Sequence, residues 1–106
     1  MAVFFETTLF TRRVTALLRD DEYAALQQVL VENPKAGDLI PGSGGLRKVR
    51  WGLEGRGKRG GARVIYYHVT SRDQFYMLMI YGKNEQDDLS AEQLRALKKA
   101  VEAIWR

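Results

Sequence analysis

Seven basic side chains crowd one stretch of this 106-residue chain: Arg47, Lys48, Arg50, Arg56, Lys58, Arg59 and Arg63. Glu54 is the one acid among them, so residues 46–63 carry a net +6 and leave −2 for the rest of a chain whose total is +4. Charge gathered in this way is the footprint of a surface that binds a polyanion. A guanidinium grips two phosphate oxygens at once, which suits a phosphate that gains negative charge as it reacts. A lysine crowded by like charges gives up its proton more readily, and Lys58 and Lys83 are the candidates for proton transfer. Tyr66, Tyr67 and Tyr81 fall on neighbouring strands. Such rings either fill a core or stack on unpaired bases, and Tyr66 and Tyr67 are candidates for substrate contact.

Other chemistries find little support. With no cysteine in the chain, disulfides, thiolate catalysis and cysteine zinc sites are excluded. His68 is the single histidine. It is either an acid or base near neutral pH or a packed strand residue, and alone it does not build a transition-metal site. Nothing places a serine beside it. Asp87 and Asp88 precede a helix, where the helix dipole favours negative charge, and a carboxylate metal site is the weaker reading. The Gly42-Ser43-Gly44-Gly45 run leads into a strand rather than a helix and lacks a following Gly-Lys-Ser/Thr. It reads as a turn needing positive φ, not a phosphate cradle. No cofactor and no metal are expected.

These residues need a scaffold. Val3–Glu6 reads as a strand, and Thr7 or Thr8 can cap the helix that follows. Phe10, Val14, Leu17 and Leu18 form one helical stripe. Asp20 or Asp21 can cap a second helix with Tyr23, Leu26, Val29 and Leu30 as its apolar positions, and Asn33-Pro34 stops it. The two helices are expected to form a hairpin. Pro34–Gly45 reads as a loop. Leu46–Leu53 reads as a strand with Arg47, Val49, Trp51 and Leu53 on one face and Lys48 and Arg50 on the other. Gly55–Gly61 reads as a connection. Arg63–Val69 and Phe75–Lys83 are strands joined by a turn at Ser71–Asp73. Ser90 with Gln93 makes a capping box, and the last helix carries Leu94, Leu97, Val101, Ile104 and Trp105.

The order β, α, α, β, β, β, α predicts an α+β fold: an antiparallel sheet with an N-terminal helical hairpin and a C-terminal helix, in one domain spanning residues 1–106. Hydrophobic residues at 45% and charged ones at 28% suit one packed core. No apolar run approaches the roughly 18 residues of a membrane span. Met1–Glu6 lacks the basic start and long apolar run of a signal peptide. A cytoplasmic protein without membrane contact is expected.

Three runs carry a resemblance: Gly44-Gly45-Leu46-Arg47-Lys48-Val49-Arg50, then Gly57-Lys58-Arg59-Gly60-Gly61-Ala62-Arg63-Val64-Ile65-Tyr66-Tyr67, then Ile80-Tyr81-Gly82-Lys83-Asn84-Glu85. In order and spacing they resemble HigB-type toxins of the RelE superfamily, and the likeness extends across essentially the whole chain. It implies a microbial-RNase-like fold, cleavage of mRNA in the ribosomal A site, and neutralisation by a cognate antitoxin, in the HigB branch one with a helix-turn-helix domain. It also implies an active-site arginine at Arg63. Asn84 stands where RelE has a functional arginine after Gly-Lys, and Leu89 and Ser90 stand where the family has a C-terminal tyrosine. RNA brings its own nucleophile, the 2′-hydroxyl, so the protein must align it, stabilise phosphate charge and move protons. On this reading Arg63, Lys58 and Lys83 are catalytic, and Lys48, Arg50, Arg56, Arg59, Tyr66, Tyr67 and Asn84 bind RNA. The alternative is a non-catalytic nucleic-acid-binding regulator on the same fold.

Overall fold

The first strand, β1 (Val3–Glu6), hands directly to a helix through Thr7. The Thr7 hydroxyl accepts the Phe10 amide at 3.1 Å and donates to the Leu78 carbonyl at 2.8 Å, so one side chain both caps the helix and ties it to the sheet. The computed structural model describes residues 1–53 and 57–104, with the backbone alone at 53 and 57–60. Helix α1 (Thr8–Leu17) buries Phe10 and Val14, and α2 (Asp20–Glu32) buries Leu26 and Leu30. The cap of α2 is Arg19, not Asp20 or Asp21. The Arg19 amide donates to the Glu22 carboxylate at 2.8 Å, and the acids lie inside the first turn, where the helix dipole favours them. The helix ends before Asn33-Pro34, as expected.

The loop after Pro34 contains a short strand the sequence did not reveal, β2 (Asp38–Leu39), which pairs antiparallel with Arg47 and Lys48. Gly44 and Gly45 then turn the chain at φ 79 and 112, conformations that disfavour a side chain. Three strands follow: β3 (Arg47–Leu53), β4 (Gly57–Val69) and β5 (Gln74–Gly82). A 3-10 turn at Thr70–Arg72 with Asp73 in the left-handed region joins β4 to β5. The expected connection at Gly55–Gly61 is largely strand, since β4 begins at Gly57. Gly61 explains the difference: a Cβ there would lie 2.2 Å from the Trp51 carbonyl oxygen, so glycine permits β3 and β4 to pair closely where their register shifts.

The sheet order is β1-β5-β4-β3-β2. The meander is antiparallel, whereas β1 runs parallel to β5, which makes the sheet mixed. The α+β class is as expected. Helix α3 (Ala91–Ile104) starts at the Ser90–Gln93 capping box, with both hydrogen bonds formed at 2.9 and 3.1 Å. Trp105 lies outside the described residues.

Helices cover both faces of the sheet. Phe10, Val14, Leu18, Leu26 and Leu30 meet Val49, Ala62, Val64, Tyr66, Phe75, Met77 and Ile80 on one side. Leu97 and Val101 of α3 meet Ile65, Tyr67, Val69, Leu78, Met79 and Tyr81 on the other. Leu78 and Met79 are consecutive yet share a core, because β5 bulges there: Ile65 pairs with Met79 while Tyr66 pairs with Met77. Among the described residues no helix is long and apolar enough to cross a membrane.

Candidate functional site

Strand alternation decides which basic residues meet. On β4, Ala62, Val64 and Tyr66 face α1 and α2, so Arg63 faces α3 with Ile65 and Tyr67. Across the ladder Arg50 is the direct partner of Arg63, and Lys48 is the partner of Ile65. On the other side Tyr81 is the direct partner of Arg63. Arg50, Arg63 and Tyr81 thus form one row across three strands, with Lys48 beside it on the same face. Like charges placed directly opposite each other in a sheet cost stability. Arg63 is only 5% exposed, and its guanidinium reaches the Ala62 carbonyl at 3.4 Å. Burying a guanidinium beside another cation is a poor solution for folding and a good one for gripping an anion.

The segment between β5 and α3 supplies counter-charges. Lys48 donates to Asp88 at 3.2 Å, and Lys83 donates to Asp87 at 2.9 Å. The Leu89 amide, with Lys48 beside it, holds the Asp88 carboxyl below the usual aspartate value. Arg13 of α1 pairs with Glu85, and Glu85 also accepts the Gly82 amide at 2.8 Å. These contacts fasten the segment to α1 and to the end of β5. The Lys83 amide donates to the Gly61 carbonyl at 3.0 Å, extending the ladder past Gly82 and bringing Lys83 beside Gly61 of β4. Asn84 is exposed in the same turn; a Cβ on Gly82 would come 2.6 Å from its Oδ1.

Thus Lys48, Arg50 and Arg63 come together on one face, with Lys83 and Asn84 at its end. Arg56 and the side chains of Lys58 and Arg59 lie outside the described residues. Tyr66 is not at this surface. It is fully buried against the opposite helices, where its hydroxyl donates to Pro34 at 2.7 Å and accepts the Gly37 amide at 3.0 Å. This corrects the expectation of RNA contact, since Tyr66 ties the loop before β2 to the core. Tyr67 shares the face of Arg63 but is 7% exposed and packs over Gly45, toward the far end of β4. Its position does not join the basic row.

His68 lies on the opposite face, its ring tilted 30° against that of Phe75 with ring centres 4.3 Å apart and its Nε2 3.1 Å from Asp73. It is a packing residue remote from Arg63. Among the described residues no group of three or more histidine and acidic side chains is placed to hold a metal ion. The Lys48–Asp88 pair and the Arg13–Glu85 brace were not legible as parts of the site, because each joins residues far apart in sequence. Tyr81 was legible only as a strand aromatic; its place beside Arg63 depends on the register of β5.

The face can bind a phosphate through two arginines and a lysine, and holds its own carboxylates against the flanking lysines meanwhile. A family profile described as the RelE toxin of the RelE/RelB toxin–antitoxin system matches residues 4–105.

Proposed function

Since the chain belongs to the RelE toxin family of toxin–antitoxin systems, we propose that it is a cytoplasmic, ribosome-dependent mRNA endoribonuclease of the HigB branch, acting as one domain and silenced by a cognate antitoxin with a helix-turn-helix domain. The observation that carries this reading is the cross-strand pair of Arg50 and Arg63, two cations held opposite each other on one face. In the reaction the 2′-hydroxyl attacks the adjacent phosphorus as it loses its proton. The 5′-oxygen of the next nucleotide leaves and takes up a proton, giving a cyclic phosphate. Arg63 holds the scissile phosphate as it gains charge. Lys48 and Arg50 hold the flanking backbone, and Arg56 and Arg59 also bind RNA. Lys58 and Lys83 exchange the protons, and Asn84 completes the site at the end of β5. No metal ion takes part. The ribosome supplies alignment of the message that this small face does not provide alone.

The test is single-turnover cleavage of message on programmed ribosomes. Arg63→Ala is expected to remain folded and to lose cleavage by about 100- to 1000-fold, the usual effect of deleting one donor to a developing oxyanion. Wild-type protein that binds ribosomes yet leaves message intact would instead support the non-catalytic regulator.

A further inference from the structure

The two buried tyrosines on neighbouring strands differ in one respect. Both hydrogen-bonding roles of the Tyr66 hydroxyl are filled. Tyr81 is 2% exposed, and its hydroxyl has no hydrogen-bond partner among the described residues. A buried hydroxyl without a partner has given up water for nothing, and folded proteins rarely keep one. Phenylalanine would fill the same volume without that penalty. The orphan atom lies in the basic row: Tyr81 is the cross-strand partner of Arg63, and the charges of Asp88 and Arg63 both act on its phenol. Burial pushes that phenol above its ordinary value, so at neutral pH it keeps its proton and can donate.

We propose that Tyr81 is a phosphate-binding catalytic residue, its hydroxyl donating a hydrogen bond to a non-bridging oxygen of the scissile phosphate while Arg63 holds that phosphate from the adjacent strand. The inference rests on the reading of this face as an RNA-cleaving site. Entry of the phosphate requires the segment before α3 to give way. The ion pairs that hold it there, Lys48–Asp88 and Lys83–Asp87, join exposed carboxylates to the cations an RNA phosphate would seek. Substrate can therefore exchange one anion for another. No proton is transferred from Tyr81; it contributes a donor whose hydrogen bond strengthens as the phosphate gains charge.

The experiment compares Tyr81→Phe and Arg63→Ala in the full chain by single-turnover cleavage on programmed ribosomes, ribosome binding and thermal melting. For Tyr81→Phe the expected result is a cleavage rate lowered by about 100-fold, unchanged ribosome binding, and a melting temperature equal to or above that of the wild type. A residue with only a packing role would not combine lost activity with retained or raised stability. Normal cleavage by Tyr81→Phe beside an inactive Arg63→Ala overturns this inference alone. Normal cleavage by both variants overturns the reading of the site and this inference with it. A Tyr81→Phe protein that melts lower as it loses activity also overturns it, since the hydroxyl would then be structural.

Discussion

Arg50 of β3 and Arg63 of β4 are direct cross-strand partners on the side of the sheet that α3 covers. Like charges set directly opposite each other in a sheet disfavour the pairing. Arg50→Thr is therefore expected to stabilise the free protein by about 0.2–1 kcal/mol while weakening its association with ribosomes. Thermal melting and ribosome co-sedimentation of the same variant check both halves. A variant that melts lower would show that Arg50 supports the fold.

Association with ribosomes should fall steeply with salt, because each lysine or arginine seated on a phosphate releases counterions. Lys48→Ala should flatten the log–log dependence on salt by about 0.7–0.9. Asp88→Asn should do the reverse of weakening: it frees Lys48 from its carboxylate and so tightens binding at low salt, with the gain screened away at high salt. A salt titration of wild type and both variants measures these effects together.

His68→Gln should leave cleavage unchanged and lower stability. The ring packs at a tilt against Phe75 with centres 4.3 Å apart, on the face away from Arg63, and losing such a contact costs about 0.5–1.5 kcal/mol. An inactive but fully folded His68→Gln protein would require an acid or base on the wrong side of the sheet.

The Arg13–Glu85 brace predicts a pH dependence. Arg13, then the Gly82 amide, hold the Glu85 carboxyl below its ordinary value of 4.5. A carboxylate with a lowered folded value stabilises fully above its unfolded value and loses that contribution as pH falls through the folded one. Glu85→Gln keeps an acceptor for Gly82 and removes only charge. Its melting temperature should lie below that of the wild type at neutral pH, and the gap should close below pH 4.5. Both side chains are over a third exposed, so solvent limits the effect to about 1 kcal/mol or less. Melting curves across the acid range check it.

What could be read from the sequence was local. The Thr7 and Ser90 caps, the stop at Asn33-Pro34 and the turn at Ser71–Asp73 each rest on residues a few positions apart, and each recurs in the structure. Alternation alone separated Lys48 and Arg50 from Val49 and Trp51. The rest required knowing which strands meet. Tyr66, Tyr67 and Tyr81 are identical in type and sit in similar surroundings of sequence. Their different positions come from partners as distant as Pro34, Gly45 and Arg63. The glycines between 55 and 61 looked like a loop because their lack of side chains reads as freedom. At Gly61 it is instead room for the Trp51 backbone. The acidic segment looked like helix punctuation because its lysine partners were not yet in view.

The bulge at Leu78 divides β5 into two halves of opposite phase. Before it, odd-numbered Phe75 and Met77 face α1 and α2; after it, odd-numbered Tyr81 faces α3 and even-numbered Ile80 takes the other side. Leu78 is the extra residue of the bulge: Met77 and Met79 pair with the adjacent Tyr66 and Ile65, so removing Leu78 would leave a regular ladder with Tyr81 still on the α3 side beside Arg63. The bulge is thus a place where β5 can lose a residue and still hold Tyr81 across from Arg63.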